Sequence, residues 1–249
     1  MKILVTGATA GFGEAIARLL VAKGHQVIGT GRRQEKLQKL QNELGDSFIP
    51  LCFDISSRQQ VQDALASLPE SLSQIDVLVN NAGLALGLEP AYEANLDDWQ
   101  QMIDTNVMGL CTMTNLILPS MVQRNSGLII NIGSIAGTYP YPGGNVYGAT
   151  KAFVKQFSLN LRADLKGTRV RVSNVEPGLC GDTEFSNVRF KGDDEKASKL
   201  YENVDFVTPD DIANIVLWLC EQPSHVNINS IEVMPVAQSF APLHVSRDI

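Results

Sequence analysis

The sequence predicts an α/β fold, with a doubly wound, mainly parallel sheet of seven strands covered by helices on both faces. Short β-branched runs alternate with helical periodicity along the whole chain, a pattern that calls for right-handed βαβ crossovers. A glycine-rich turn follows the first of those runs, and polar residues close several later ones. No internal repeat or low-complexity linker interrupts the alternation, so residues 1–249 read as one domain.

"KILVTGA" is a β-branched run ending in glycine, and "GEAIARLLVAKG" then carries apolar residues at helical spacing until Gly24 closes it. "HQVIGTGRR" is the second strand, "RQEKLQKLQNELG" a helix, "FIPLCFDIS" the third strand and "SRQQVQDALASLP" the next helix. "IDVLVNNAG" is a fourth strand, and "NLDDWQQMIDTNVMGLCTMTNLILPSMVQRN" supplies one or more long helices that Asn95 and Asp98 are expected to cap as a pair. "GLIINIGS" and "VYGATKAFVKQFSLNLRADLKG" form the fifth strand and its helix, and "VRVSNVEPG" the sixth strand. "TPDDIANIVLWLCEQ" is a helix with Thr208 at the N-cap and Pro209 at the first helical position, and "SIEVMPV" is a last short strand.

Residues 181–203 break this rhythm with a polar stretch carrying charges of both signs. In open α/β sheets ligands bind beyond the carboxyl ends of the strands, and long loops there often close over them. The stretch is therefore expected to be a lid, against the plainer reading of a solvated excursion.

A net charge of −7 disfavours partnership with nucleic acid or an anionic membrane. Cys52, Cys111, Cys180 and Cys220 are far apart and form no C-x-x-C, which is neither a zinc pattern nor a disulfide framework. No apolar run reaches the roughly 18 residues of a membrane span, and "MKILVTGA" lacks a signal-like apolar region. The expectation is a cytoplasmic protein with no metal.

"VTGATAGFG" places Gly7, Gly11 and Gly13 between a strand and a helix. Glycine allows the tight turn and close backbone approach that a pyrophosphate needs, and the helix N-terminus supplies free N–H groups. In a βαβ unit this is the dinucleotide loop of a Rossmann fold. No Lys-Ser or Lys-Thr follows, so it is not a Walker loop. After the second strand stand Arg32 and Arg33, where an acid would select NAD; two guanidinium groups and no acid favour the 2′-phosphate of NADP. Asp54 ends the third strand and either accepts from adenine or caps the next helix.

Three further strand ends carry polar groups to the same rim: "NNAG" (Asn80 to Gly83), "NIGS" (Asn131 to Ser134) and "EPG" (Glu176 to Gly178). Ser134 leads into the helix bearing Tyr147 and Lys151, four residues apart. Taken singly these are a strand-end serine and a helix-face pair; beside a cofactor loop they read together as a site. His25, His225 and His244 lie outside these segments, so no Ser-His-Asp triad forms.

T-G-x-x-x-G-x-G at Thr6 to Gly13, N-N-A-G at Asn80 to Gly83, Ser134 and Y-x-x-x-K at Tyr147 and Lys151 resemble the short-chain dehydrogenase/reductase family, in order over nearly the whole chain. "TGATAGFGEAIAR", "GGNVYGATKAFVKQFSLNLR" and "TEFSNVRFKGDDEKA" are similar, more narrowly, to its bacterial NADP-dependent 3-hydroxy acid dehydrogenases. The resemblance implies oxidation of serine, L-allo-threonine, 3-hydroxyisobutyrate or 3-hydroxypropionate, or reduction of malonic semialdehyde. It makes Tyr147 the acid/base, Lys151 its helper, Ser134 the substrate anchor and Asn106 the fourth member of a proton relay. It also implies NADP(H) contacts at Gly7, Thr9, Ala10, Gly11, Phe12, Gly13, Arg32, Arg33, Asp54, Ile55, Asn81, Ala82, Gly83, Tyr147, Lys151, Pro177, Gly178 and Thr183. A free tyrosine near pKa ~10 is a poor base at neutral pH, and an ammonium one helical turn away is expected to stabilise its phenolate.

Two departures stand out. Thr183 lies six residues after Pro177, where the family has five, and Thr9-Ala10 replaces the family's common Ser-Arg or Ser-Lys. The case for NADP therefore rests on Arg32 and Arg33. A hydroxy acid needs a cation for its carboxylate; Arg189 and Lys191 are available in the expected lid, and Arg189 offers bidentate geometry. The other classes are a carbonyl or ketoacyl reductase and a non-catalytic NADP-binding regulator. Relatives imply a homotetramer, for which Met108, Leu110, Val154 and Phe157 are candidate apolar contacts or equally core residues, and "PVAQSFAPLHV" near the C-terminus is expected to dock on a neighbouring subunit or on its own lid.

Overall fold

The computed structural model describes residues 1–241. Its strands are β1 (Lys2–Val5), β2 (Gln26–Gly31), β3 (Phe48–Cys52), β4 (Val77–Asn80), β5 (Gly127–Ile132), β6 (Val170–Pro177) and β7 (Ser230–Val233). They form one sheet in the order β3-β2-β1-β4-β5-β6-β7, and every pairing is parallel. The helices are α1 (Gly11–Ala22), α2 (Gln34–Leu44), α3 (Arg58–Ala66), α4 (Glu70–Ser73), α5 (Leu96–Ile103), α6 (Leu110–Gln123), α7 (Asn145–Asp164), α8 (Phe185–Arg189), α9 (Asp194–Lys199) and α10 (Pro209–Glu221).

Successive strand residues face opposite sides of the sheet, which divides the core in two. Ile3, Val5 and Val79 pack with Ile16 and Leu20 of α1 and Val216 of α10. Leu4, Leu78 and Ile129 pack with Met113 and Met121 of α6 and Leu161 of α7. Because β1 pairs with both β2 and β4, the strand order reverses between them and a crevice opens at their carboxyl ends.

Helix ends follow the local sequence closely. Thr208 and Asp211 form a capping box around Pro209 at the start of α10, and Gly24 turns the chain after α1 with φ +80°. Asn95 accepts from the Asp97 N–H at 2.7 Å, but Asp98 does not return a bond as expected; its carboxylate pairs with Lys191 at 2.8 Å instead. The long apolar segment resolves into α5 and α6, joined by a π-helical turn over Asp104–Gly109. Such a widened turn re-aims a side chain, and here it carries the buried Asn106.

The stretch at 181–203 holds two short helices, α8 and α9, and leaves the fold beside the point where it returns. Gly181 N–H donates to Val207 O at 3.2 Å and Val207 N–H to Leu179 O at 3.1 Å. Two of the candidate interface residues are core instead: Leu110 and Val154 are 4% and 1% exposed, whereas Met108 is 53% exposed and Phe157 packs at the edge of the core. Apolar residues of helices flanking a two-faced sheet look alike in sequence, whichever way they point. The described part of the C-terminal segment contacts the body of its own chain rather than the stretch at 181–203. Gln238 accepts from Leu179 N–H at 2.8 Å, and the Phe240 ring lies 5.1 Å from that of Tyr139. The remainder of "PVAQSFAPLHV", from residue 242, lies outside the described residues. Among the described residues no helix is long and apolar enough to cross a membrane, and no group of side chains could hold a metal.

Candidate active site

The glycine loop is shaped by steric need. Gly7 and Gly11 have φ of +70° and +51°, a region that disfavours side chains. A Cβ on Gly13 would lie 2.1 Å from the Gly7 carbonyl oxygen, so only glycine lets α1 come this close to the loop. Ala10 offers no side-chain cap, leaving the first N–H groups of α1 for a ligand.

Beneath the loop, Thr6 and the N-N-A-G segment hold one another. Thr6 Oγ1 accepts from the N–H groups of Asn81 and Ala82, both at 2.9 Å, and Asn81 Nδ2 donates to Thr6 O at 2.9 Å. Asn80 donates to Asn131 Oδ1 at 2.9 Å and Asn131 to Ser158 Oγ at 2.8 Å, tying β4, β5 and α7 together in the interior.

At the adenosine end the arginines differ from expectation. Arg33 donates to Glu184 at 2.7 Å and to Thr9 Oγ1 at 3.0 Å, and Lys36 donates to Glu184 at 2.5 Å. An acid therefore does stand at this edge; it comes from the far side of the sequence, where proximity to Arg33 leaves no local sign. Arg32 is largely exposed, 3.8 Å from Asp54. Asp54 is not a helix cap, because Ser57 caps α3; Asp54 accepts from the N–H and hydroxyl of Ser56 at 2.9 and 2.7 Å. Thr183 sits over the loop, since a Cβ on Gly11 would lie 3.2 Å from its Cβ.

At the other end, Tyr147 and Lys151 are both buried. Burial pushes the Tyr147 phenol up to about 12, while the neighbouring Ser134 hydroxyl and Arg189 guanidinium draw it back. Burial lowers Lys151 to about 8. Its ammonium donates to Ile132 O at 2.8 Å and stands 5.8 Å from the centre of the Tyr147 ring. The expected lowering of the phenol by Lys151 is not seen: desolvation dominates, and the groups that draw the phenol down are Ser134 and Arg189. Ser134 accepts from Ala136 N–H at 3.1 Å and leans toward Pro177 O at 3.4 Å. Asn106 does not serve its own helix. It accepts from Leu84 N–H at 2.9 Å and donates to Leu84 O at 2.8 Å and Thr150 Oγ1 at 3.1 Å. A Cβ on Gly83 would meet Asn106 Oδ1 at 3.2 Å and Lys151 Nζ at 3.6 Å, so these two flank one glycine.

Of the two candidate cations, Lys191 is engaged with Asp98. Arg189 reaches the site: its guanidinium lies 5.0 Å from the Tyr147 ring centre and 5.3 Å from that of Phe185, and donates to Tyr141 Oη at 2.7 Å. Its Nε is buried without a partner. Tyr141, Phe185 and Glu184 are not singled out by the sequence, because their partners Arg189, Tyr147 and Arg33 include residues far along the chain.

One cleft of about 360 Å³ joins both ends, within the ~300–1,000 Å³ of small-ligand sites. All the expected cofactor contacts line it except Gly13, which acts through packing; Asn106 and Arg189 do not line it themselves but contact residues that do, Leu84 and Tyr147. A cradle of forced glycines and open helix N–H groups, next to a phenol, fits a dinucleotide.

The fold and this cleft define a dinucleotide-dependent oxidoreductase class, and the comparisons agree. The model of the short chain dehydrogenase family matches residues 1–194. The chain belongs to the short-chain dehydrogenase family. It is 67% identical over 245 residues to a probable NADP-dependent dehydrogenase of Haemophilus influenzae, covering 98% of this chain and 97% of that one. It is 63% identical over 247 residues to the NADP-dependent 3-hydroxy acid dehydrogenase YdfG of Salmonella typhi, covering 99% and 100%. A solved closed form of serine dehydrogenase complexed with NADP+ superposes with a TM-score of 0.99 at 61% identity, over 100% of both chains.

Proposed function

We propose that this chain is an NADP-dependent 3-hydroxy acid dehydrogenase acting on L-serine, L-allo-threonine, 3-hydroxyisobutyrate or 3-hydroxypropionate, or reducing malonic semialdehyde. The observation that carries it is Arg189 beside Tyr147, a cation for a carboxylate next to an acid/base for a hydroxyl. The sequence relatives support the substrate class.

The glycine loop, Thr9, Ala10, Phe12, Arg32, Arg33, Asp54, Ile55, Asn81, Ala82, Gly83, Pro177, Gly178 and Thr183 would hold NADP(H), with Tyr147 and Lys151 at its nicotinamide end. When bound, the nicotinamide supplies the two-electron acceptor for alcohol oxidation. Tyr147 Oη takes the hydroxyl proton in oxidation and returns it in reduction. Ser134 donates to the same substrate oxygen and stabilises the charge that develops there. Lys151, with Asn106 at its side, passes the proton onward. Arg189 fixes the carboxylate and excludes water with Phe185.

The chain forms one domain with residues 181–203 as its lid, a reading supported by Thr183 lying over Gly11 and Arg189 over Tyr147. Exposed Met108, Phe153 and Leu159 support assembly, with a homotetramer as the form. Free Cys52, Cys111, Cys180 and Cys220 suit the reducing cytoplasm.

The test is NADP reduction with L-serine, L-allo-threonine and 3-hydroxypropionate against a simple secondary alcohol. Preference for the acids supports the proposal. Equal turnover of the alcohol indicates a carbonyl reductase, and inactivity with every alcohol and carbonyl indicates a binding module.

A further inference from the structure

We propose that Glu184 is a positioning residue for the dinucleotide: its ion pairs with Arg33 and Lys36 clasp the lid shut over the glycine loop and set how fast the cofactor leaves. The inference rests on the cofactor reading above. Thr183 covers Gly11 on one side of the loop, and the next residue reaches across to two cations at the start of α2, 2.7 and 2.5 Å away. Arg33 is itself steadied by Thr9 of the loop at 3.0 Å, so the clasp joins lid, loop and α2 in one chain of contacts. A carboxylate at the first turn of α2 is also favoured by that helix's N-terminal dipole. At its far end the lid is fastened separately, by Gly87 N–H on Arg189 O at 3.0 Å and Lys191 on Asp98 at 2.8 Å. The backbone path of the chain matches that of a relative closed around NADP+ along its whole length, so this position of the lid is compatible with a bound cofactor.

Two opposite consequences could follow from an acid at this edge. If Glu184 competed with the 2′-phosphate for Arg33, it would weaken NADP(H) and leave NAD(H) untouched. A clasp over the glycine loop retains both dinucleotides alike, because the pyrophosphate lies beneath it in either case. Glu184 holds Lys36 as well as Arg33 and directly follows Thr183 over Gly11, which favours the clasp.

The experiment is stopped-flow release of NADPH and of NADH, followed by nicotinamide fluorescence, in the wild type, Glu184→Gln, Lys36→Gln and the double variant. The expected result is release of both dinucleotides about two- to tenfold faster from Glu184→Gln, the range that exposed ion pairs command. Lys36→Gln gives a smaller change in the same direction, and the double variant is no faster than Glu184→Gln because one clasp has been opened. Salt should accelerate release from the wild type more than from Glu184→Gln. Unchanged release from Glu184→Gln overturns the clasp alone. Slower NADPH release with NADH unaffected also overturns it, and makes Glu184 a rival of the phosphate. A wild type that binds neither dinucleotide overturns the cofactor reading and the clasp together.

Discussion

The ammonium of Lys151 donates to the Ile132 carbonyl at 2.8 Å, and among the described residues it forms no ion pair with an acid. A buried cation held in this way titrates at about 8 when folded, against 10.5 ordinarily. Between those values the unfolded chain binds more protons than the folded one, so this residue makes stability rise with pH across that window.

Lys151→Met should therefore raise the thermal stability of the ligand-free protein at neutral pH, by about 1–3 kcal/mol, while abolishing turnover. The gain should fade as pH climbs from about 8 toward 10.5. Thermal unfolding at several pH values checks both statements.

Tyr147→Phe should bind NADPH as the wild type does and lose about 10²–10⁴ in kcat. With the phenol pushed up to about 12 in the free protein, its proton is in place for reduction and must be lost for oxidation. Oxidative kcat/KM should accordingly rise with pH over the whole accessible range, while reductive kcat/KM shows no such rise. A pH profile in both directions decides it.

Gly13→Ala should cost about 1–3 kcal/mol and remove NADPH binding, because the methyl would press into the Gly7 carbonyl oxygen 2.1 Å away. Gly24→Ala offers the contrast. That residue has φ +80° with nothing within 4 Å, so only backbone strain of about 1–2 kcal/mol is expected, with cofactor binding intact. Melting temperatures and NADPH titration separate the two.

Arg189→Ala should raise KM for 3-hydroxy acids about 10- to 100-fold, the loss of a charge-assisted carboxylate contact. For an uncharged secondary alcohol KM should change by less than about threefold on the same argument. Equal losses on both substrates would remove Arg189 from carboxylate recognition.

The parts of this molecule legible in its sequence are those in which neighbours along the chain do the work. Alternating β-branched and helical runs yielded every strand of the sheet, and Gly7, Gly11 and Gly13 marked the cradle because backbone geometry there excludes side chains. Tyr147 and Lys151 share a helix, so their spacing already placed them together. Asn106 was legible through family resemblance, but the π-helical turn that aims it was not, since a widened turn leaves no compositional mark. Glu184 escaped for another reason: its partners lie across the sheet, and an ion pair between distant residues has no period to detect. Whether Leu110 and Val154 face a partner or the core was not legible, because burial on either side of their helices calls for the same residue types; both are core.

Residues 181–203 leave and return through one doorway, the bridge between Cys180 and Val207. No strand of the sheet is interrupted by the stretch, and extra length beyond that doorway adds little closure entropy. With Arg189 as the proposed carboxylate anchor, recognition becomes an exchangeable cassette: a different insert spliced at the same doorway would meet an unchanged Tyr147, Lys151 and Ser134, and one scaffold could serve many alcohols without rebuilding its interior.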